Sequence, residues 1–402
     1  MRSKDCFLDI ICRLMSIGQK LSRNNRVTYL RLNKKKKISN KNYYTMVQRK
    51  GINFEGQNVY IGIDVHLKRW QVTIITESGY KSKFSQPSSA RALFDNLKKH
   101  YPGGKYHAVY ESGFSGYATG YALAESGINC MAIHAADVPT TQYEKVMKTD
   151  SVDSEKLAKG LKAGTLRGIY IPRKETLDDR SLVRLRKTIR VQLCGYKSRV
   201  KHLLHANGVS YPENIASCDH YWPKRFMDWL REDVVLLSSS RNSLDMLLEQ
   251  VETLRGSLLK ITRKILELSK TERYATAYRN LNSIPGIGSI TAMCLLTEID
   301  NIKRFQNERQ FASYLGLIPV CHNSGEKESN GEKTFRGNKQ IGPMIIESSW
   351  ISVRHDKAMA AFYGEYCSRM KPQEAIIRVA RKLSNRIFTV LKTGKQYKYD
   401  KC

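Results

Sequence analysis

Cysteine is present in this chain but never in the pairings that metal ribbons and disulfide frameworks need. The nine cysteines among 402 residues stand at positions 6, 12, 130, 194, 218, 294, 321, 367 and 402, with no CxxC among them. That scatter argues against a zinc ribbon and against a disulfide scaffold, and it fits a reducing cytosol. No apolar run reaches transmembrane length. The stretch from Cys6 to Ile17 is broken by Asp9 and Arg13, which spoils it as a signal-peptide core. Acidic residues are scarce: 37 Asp+Glu against 68 Lys+Arg leave a formal net charge of +31. Such an excess attracts polyanions and makes nucleic acid the natural partner, although charge alone also suits a merely basic soluble protein. With 41% apolar residues the chain can bury real cores, and its length suits two or three domains.

Residues 1–50 carry 14 Lys+Arg, including Lys34-Lys35-Lys36-Lys37, against Asp5 and Asp9, and show no sustained periodicity. They read either as a disordered nucleic-acid arm or as sequence upstream of a start at Met46, with the second favoured because recognisable elements begin only near Val59. From there the pattern is α/β. Val59–Ile63 is a β-rich run ending at Asp64, Gln71–Thr76 is the next strand, and a polar stretch through Lys98 looks helical. Tyr106–Tyr110 runs as a strand into Glu111, and Asn129–Ile133 follows a small-residue helix. Strands alternating with helices imply a mixed, partly parallel sheet covered on both faces.

The middle of the chain is helical. Leu182, Leu185, Ile189, Leu193, Tyr196, Val200 and Leu203 recur at three- and four-residue steps, and Leu244, Leu247, Val251, Leu254, Leu258, Ile261, Ile265 and Leu268 repeat the pattern. This is the seam of a coiled coil or of a long antiparallel helix pair. An intrachain pair and an intermolecular coiled coil that holds a dimer both satisfy it. The connection from Gly208 to Asp233, with Trp222 and Trp229, is the expected hairpin end. Beyond Arg279 a compact helical domain opens on Ser283-Ile284-Pro285-Gly286-Ile287-Gly288.

Four acids form the candidate chemical centre. Asp64 and Glu111 each end an apolar strand, and Asp150 and Asp153 are three apart, which on a helix puts them on one face. Carboxylates gathered in this way are costly to hold together unless a cation is shared. Converging from two strands and a helix, they can bind hard cations that activate an attacking oxygen and stabilise a leaving one at phosphorus. Each acid also has a plainer reading: Asp64 in a turn, Asp150 as the N-cap of a helix from Ser151 to Leu161.

These residues carry a resemblance. Gly62-Ile63-Asp64-Val65-His66, Tyr110-Glu111-Ser112-Gly113 and Lys148-Thr149-Asp150-Ser151-Val152-Asp153 resemble the signature of the DEDD insertion-sequence transposases, also described as bridge-RNA-guided recombinases. The C-terminal half resembles the same family through Ile284-Pro285-Gly286-Ile287-Gly288, Phe311–Leu317, Asn323-Ser324-Gly325 and Arg336-Gly337-Asn338, so the likeness runs in order over about residues 58–395. The resemblance implies a RuvC-like RNase H fold domain at 56–172, a helical coiled-coil region at 173–278 and a small, mainly α C-terminal transposase domain at 279–395, between a basic extension at 1–55 and a tail at 396–402. It implies Asp64, Glu111, Asp150 and Asp153 as Mg2+ ligands, and it makes Ser324, which local chemistry does not distinguish from Ser329, the nucleophile that joins covalently to DNA.

The glycine turn at Gly286 and Gly288 resembles a helix-hairpin-helix turn whose backbone N–H groups hold phosphate, against the alternative of an ordinary interhelical turn. Together with Arg336, Asn338 and Lys339, these glycines are the candidate nucleic-acid contacts. Glu326, Glu328 and Glu332 dilute the positive charge that the family often shows after the serine. The expectation is therefore a cytoplasmic, nucleoid-associated transposase acting on element ends and target DNA with a structured guide RNA, as a homo-oligomer (dimer or tetramer) without membrane association. The alternatives are a metal-dependent junction-resolving nuclease and an inactive nucleic-acid-binding relic.

Overall fold

A computed structural model of the chain describes residues 53–140, 149–216, 221–324, 327–333 and 336–400. The lysine cluster at 34–37, Met46, Lys148, Gly325 and Glu326 lie outside the described residues. The chain divides into two compact units, Met1–Leu166 and Arg167–Cys402.

In the first unit, β1 (Asn58–Val65), β2 (Arg69–Thr76) and β3 (Lys81–Pro87) form an antiparallel meander. β4 (Lys105–Glu111) and β5 (Asn129–Ile133) extend the sheet parallel to β1, giving the order β3-β2-β1-β4-β5. Helices α1 (Ala90–His100) and α2 (Ala118–Glu125) supply the crossovers that parallel neighbours require. The apolar β1 run accounts for its central place: Val59, Ile61 and Ile63 are fully buried, as are Val72, Ile74 and Val109 on its neighbours. β3 replaces the start of the helix expected after Gly79. Its polar residues alternate with better covered ones along an edge strand, and Pro87 at its end costs no interior ladder bond.

Helix α3 (Asp150–Lys162) lies against β1 and β2 at an approach that only glycine permits. A Cβ on Gly62 would stand 2.0 Å from the Ser154 backbone oxygen and 2.5 Å from the Ala158 backbone nitrogen. Thr73, the partner of Gly62 across the ladder, shares a buried hydroxyl–hydroxyl hydrogen bond of 2.9 Å with Ser154. Lys83 Nζ donates to the Ser151 oxygens, and Glu155 takes Lys81, Lys83 and Lys159 at 2.8, 2.6 and 2.8 Å. Burial would raise the Glu155 pKa, but hydrogen bonds from the three lysines hold it at about 2. α3 is thus tied to both β2 and β3.

Among its described residues the second unit is helical except for one hairpin. Its two long helices, α4 (Lys174–Ala206) and α7 (Ser238–Leu268), pack antiparallel within the chain: Val183 shares a core with Ile261 and Ile265, and Val200 and Leu204 share another with Leu244 and Leu248. The apolar seam is therefore satisfied intramolecularly over much of its length, with Leu248 fully packed where the heptad reading put Leu247. Beyond the short turn α5 (Glu213–Ala216), α6 (Lys224–Glu232) closes the far end, burying Phe226 and Trp229 beside Trp222.

The other end of the pair joins the larger core of α8 (Glu272–Asn282), α9 (Ser289–Ile299), α10 (Glu308–Tyr314), α11 (Ile341–His355), α12 (Lys357–Cys367) and α13 (Pro372–Thr393). Between α10 and α11 the chain forms a two-stranded hairpin, β6 (Pro319–Ser324) and β7 (Lys327–Lys333), where a polar loop was expected.

Candidate active site

The first unit brings carboxylates together at one end of its sheet. Ile63 pairs with Tyr110 across the parallel β1–β4 ladder, so Asp64 and Glu111, one residue further on, leave neighbouring strands at the same level. Asp64 follows Gly62 by two residues and Glu111 follows Val109 by two, which puts both acids on the face that α3 covers. α3 begins at that end. Its N-cap is Thr149, whose side chain accepts from Val152 N, so Asp150 is the first helical residue and not the cap.

The result is a compact polar group. His66 Nε2 lies 3.2 Å from Asp64 Oδ2 and 3.4 Å from Asp150 Oδ2. One ligand atom from each of Asp64, His66 and Asp150 falls within 4.8 Å of the others. Asp153 points into a more covered position, with Lys156 Nζ 3.4 Å from its Oδ1. Burial pushes the Asp64 pKa up; His66 opposes the rise, and the charges of Asp150 and Asp153 add to it. Burial is thus the main cost of ionising Asp64, with the neighbouring acids a smaller one. Carboxylate oxygens with one imidazole nitrogen form a donor set that suits a divalent cation.

His66 was not among the expected ligands. Its signal was the even spacing from Asp64, which places both residues on one side of an extended chain.

Ser324 ends β6 at the tip of the hairpin, paired with Lys327, and belongs to the second unit, whereas the acids belong to the first. Ser329 pairs with His322 further down the same ladder. The glycine turn divides into two different roles. Gly286 has φ of +88°, and a Cβ there would sit 2.2 Å from the Ser348 backbone oxygen, so its glycine serves the packing of the turn on α11. Gly288 is open on that side and caps α9 without a side-chain bond.

Asn338 is fully engaged inside the unit. Its amide donates to Glu298 and Tyr314 OH, and its oxygen accepts from the Gln340 and Ile341 backbone. These bonds make Asn338 an organiser of the loop that leaves the hairpin. Arg336 and Lys339 are exposed. Arg386 of α13 is committed to Asp356 at 2.6 Å.

A sheet in this order, with acids at the ends of adjacent central strands and at the start of a covering helix, is consistent with the DEDD, RuvC-like class of phosphoryl-transfer proteins. Comparison with known proteins gives the particular family. Residues 61–207 match the IS110 DEDD family, described as a transposase, and residues 278–364 match the family described as Transposase IS116/IS110/IS902. A putative transposase, y4qE, of Sinorhizobium fredii is 25% identical over 73% of this chain and 72% of its own length. Another from the same organism, y4rJ, is 24% identical over 84% of this chain and 92% of its own. The transposase of insertion sequence IS1533 from Leptospira borgpetersenii is 25% identical over 63% and 73%. The chain is an insertion-sequence transposase of the IS110/IS116 family, an enzyme that cleaves and rejoins DNA. Its DEDD domain implies a divalent metal. No helix among the described residues is long and apolar enough to cross a membrane.

Proposed function

We propose that the enzyme exchanges DNA strands through a covalent serine intermediate, with Ser324 as nucleophile and Asp64, Glu111, Asp150 and Asp153 as the metal-binding acids. The observation that carries the reading is the meeting of Asp64 and Asp150 at the mouth of the sheet, where each approaches the same His66 nitrogen. Asp64, Asp150 and Asp153, joined by Glu111 from the neighbouring strand, would hold Mg2+, with His66 alongside. Bound there, the cation would lower the charge on a phosphodiester and favour ionisation of an attacking hydroxyl.

The chain's own groups supply the rest. The Ser324 oxygen bonds to phosphorus as the deoxyribose oxygen leaves with the proton, and the reverse exchange with the incoming strand restores the serine. One phosphodiester is broken for each phosphoserine ester formed, so no external energy source is needed. Serine and acids belong to different units, and the proposed working form is a homo-oligomer. The charge of +31 supports a second polyanion beside DNA, and an element-encoded structured RNA is the proposed guide.

The test is the covalent state in mid-reaction. Trapped reactions should yield DNA linked to protein, with peptide mapping placing the bond at Ser324. Ser324→Ala should lose both the adduct and the product, and Ser329→Ala should keep both. Normal recombination by Ser324→Ala would remove the serine mechanism and leave hydrolysis by the acids alone.

A further inference from the structure

Glu298 is a buried carboxylate outside the chemistry above. It lies near the end of α9 with only 2% of its surface exposed, and it is the meeting point of three segments. From α4, Arg184 grips it with a two-pronged contact, Nε to Oε1 at 2.6 Å and Nη2 to Oε2 at 2.8 Å. Arg180, one turn earlier, stands 3.8 Å from Oε2 and donates to the Thr297 carbonyl at 2.9 Å. From beyond the hairpin, Asn338 donates to Oε2 at 3.1 Å. Burial pushes the Glu298 pKa up, but the Arg184 hydrogen bonds and charge outweigh it and keep the group ionised.

The same residues pin both feet of the hairpin. Tyr314 precedes β6, and its hydroxyl donates to the Glu298 carbonyl at 2.9 Å while accepting from the Asn338 amide at 2.8 Å. The Asn338 N–H donates to the Tyr314 carbonyl at 2.7 Å, which joins the chain entering the hairpin to the chain leaving it. The two feet also cross in backbone contact: a Cβ on Gly337 would stand 2.3 Å from Gly316 Cα. Lys187 of α4 adds a bond to Gln340 at 2.8 Å.

Two strands alone are marginal in water, so the direction of this hairpin depends on what holds its base. A buried ion pair is a poor source of net stability compared with apolar packing, but it is demanding about geometry. We propose that Glu298, Arg184 and Asn338 are positioning residues that aim the hairpin tip, and with it Ser324, by clamping both feet to α4. The inference rests on the reading of Ser324 as nucleophile, and the experiment separates the two.

The variants are Asn338→Ala, which spares the Arg184–Glu298 pair, and Glu298→Gln, which removes its charge. Each full-length protein is assayed for melting temperature, DNA affinity and the single-turnover rate of adduct formation at saturating DNA. Amide hydrogen exchange of residues 319–333 is followed in parallel. Misplacing a reacting group by an ångström costs about 10²-fold in rate. A loss approaching that size in Asn338→Ala, with the protein folded, DNA affinity held and exchange in the hairpin accelerated, is the expected result. Unchanged adduct rates or unchanged hairpin exchange in both variants would overturn the clamp, as would a rate loss no larger than the folded fraction explains. A wild-type protein that forms no adduct at Ser324 sinks the serine reading, and hairpin exchange alone then decides the clamp.

Discussion

Gly62→Ala tests the packing that assembles the acidic site without touching any acid. The added Cβ would lie 2.0 Å from the Ser154 oxygen and 2.5 Å from the Ala158 nitrogen, both backbone atoms of α3 that cannot rotate away. To bring the first contact to even 3.0 Å, α3 must retreat from β1 by about 1 Å. Such overpacking costs about 1–3 kcal/mol. Stretching the buried Thr73–Ser154 bond adds about 1 kcal/mol. The sum, about 2–4 kcal/mol, predicts a melting transition of the first unit lower by roughly 10 °C.

Catalysis should suffer more than stability suggests, because Asp150 and Asp153 ride on α3 while Asp64 stays on β1. A separation of that size costs about 10²-fold in strand exchange. The assay is thermal melting beside recombination between two plasmid-borne sites, at a temperature where the variant is folded. Gly195→Ala serves as the control: that glycine is mid-helix in α4 with nothing near its Cβ position, so alanine should stabilise by about 0.5–1 kcal/mol. If Gly62→Ala melts and recombines like the wild type, the close approach of α3 is not what builds the site.

Asp64→Asn should abolish exchange yet raise the metal-free melting temperature, a gain of about 0.5–2 kcal/mol. The sign follows from the raised pKa: the folded state holds the Asp64 proton more tightly than the unfolded chain does, so ionisation at neutral pH costs stability that a neutral side chain recovers. Added Mg2+ should stabilise the wild type more than the variant, and a variant that melts lower in EDTA would contradict the cost assigned to the buried charge.

Asp300, with a fully buried side chain, receives Tyr170 OH and Thr176 Oγ at 2.6 Å each and Arg173 Nε at 2.9 Å. Removing it by Asp300→Ala should cost about 3 kcal/mol at neutral pH. Burial would raise its pKa, but these hydrogen bonds hold it below the ordinary carboxylate value of 3.8, so its stabilisation is complete above that value and fades as pH falls through the lower folded one. The gap in melting temperature between wild type and Asp300→Ala should therefore narrow on acidification below about pH 4. A gap independent of pH would show that packing, and not the charge, is what was lost.

The central strands were legible in the sequence because burial on both faces leaves short runs rich in β-branched residues, as in Val59–Ile63. The same runs placed Asp64 and Glu111 at strand ends, and the three-residue step placed Asp150 and Asp153 on one helix face. The long amphipathic seams announced α4 and α7, while their pairing within one chain was settled only by the cores they share. β3 escaped notice because an edge strand needs no apolar alternation to join a ladder.

His66 as a bridge between two acids depends on where α3 begins relative to β1, a distance that local pattern does not contain. The Glu298 cluster draws on segments more than 110 positions apart, Arg184 with Glu298, and a further 40 to Asn338. A lone Glu ahead of Ile299 reads as helix surface until α4 and the hairpin feet close over it. Periodicity and residue type thus determined which segments become strands and helices and which ends carry acid. Which charges face one another was decided by packing at close range, because a contact of 2.6 Å between residues distant in sequence exists only once both backbones are in place.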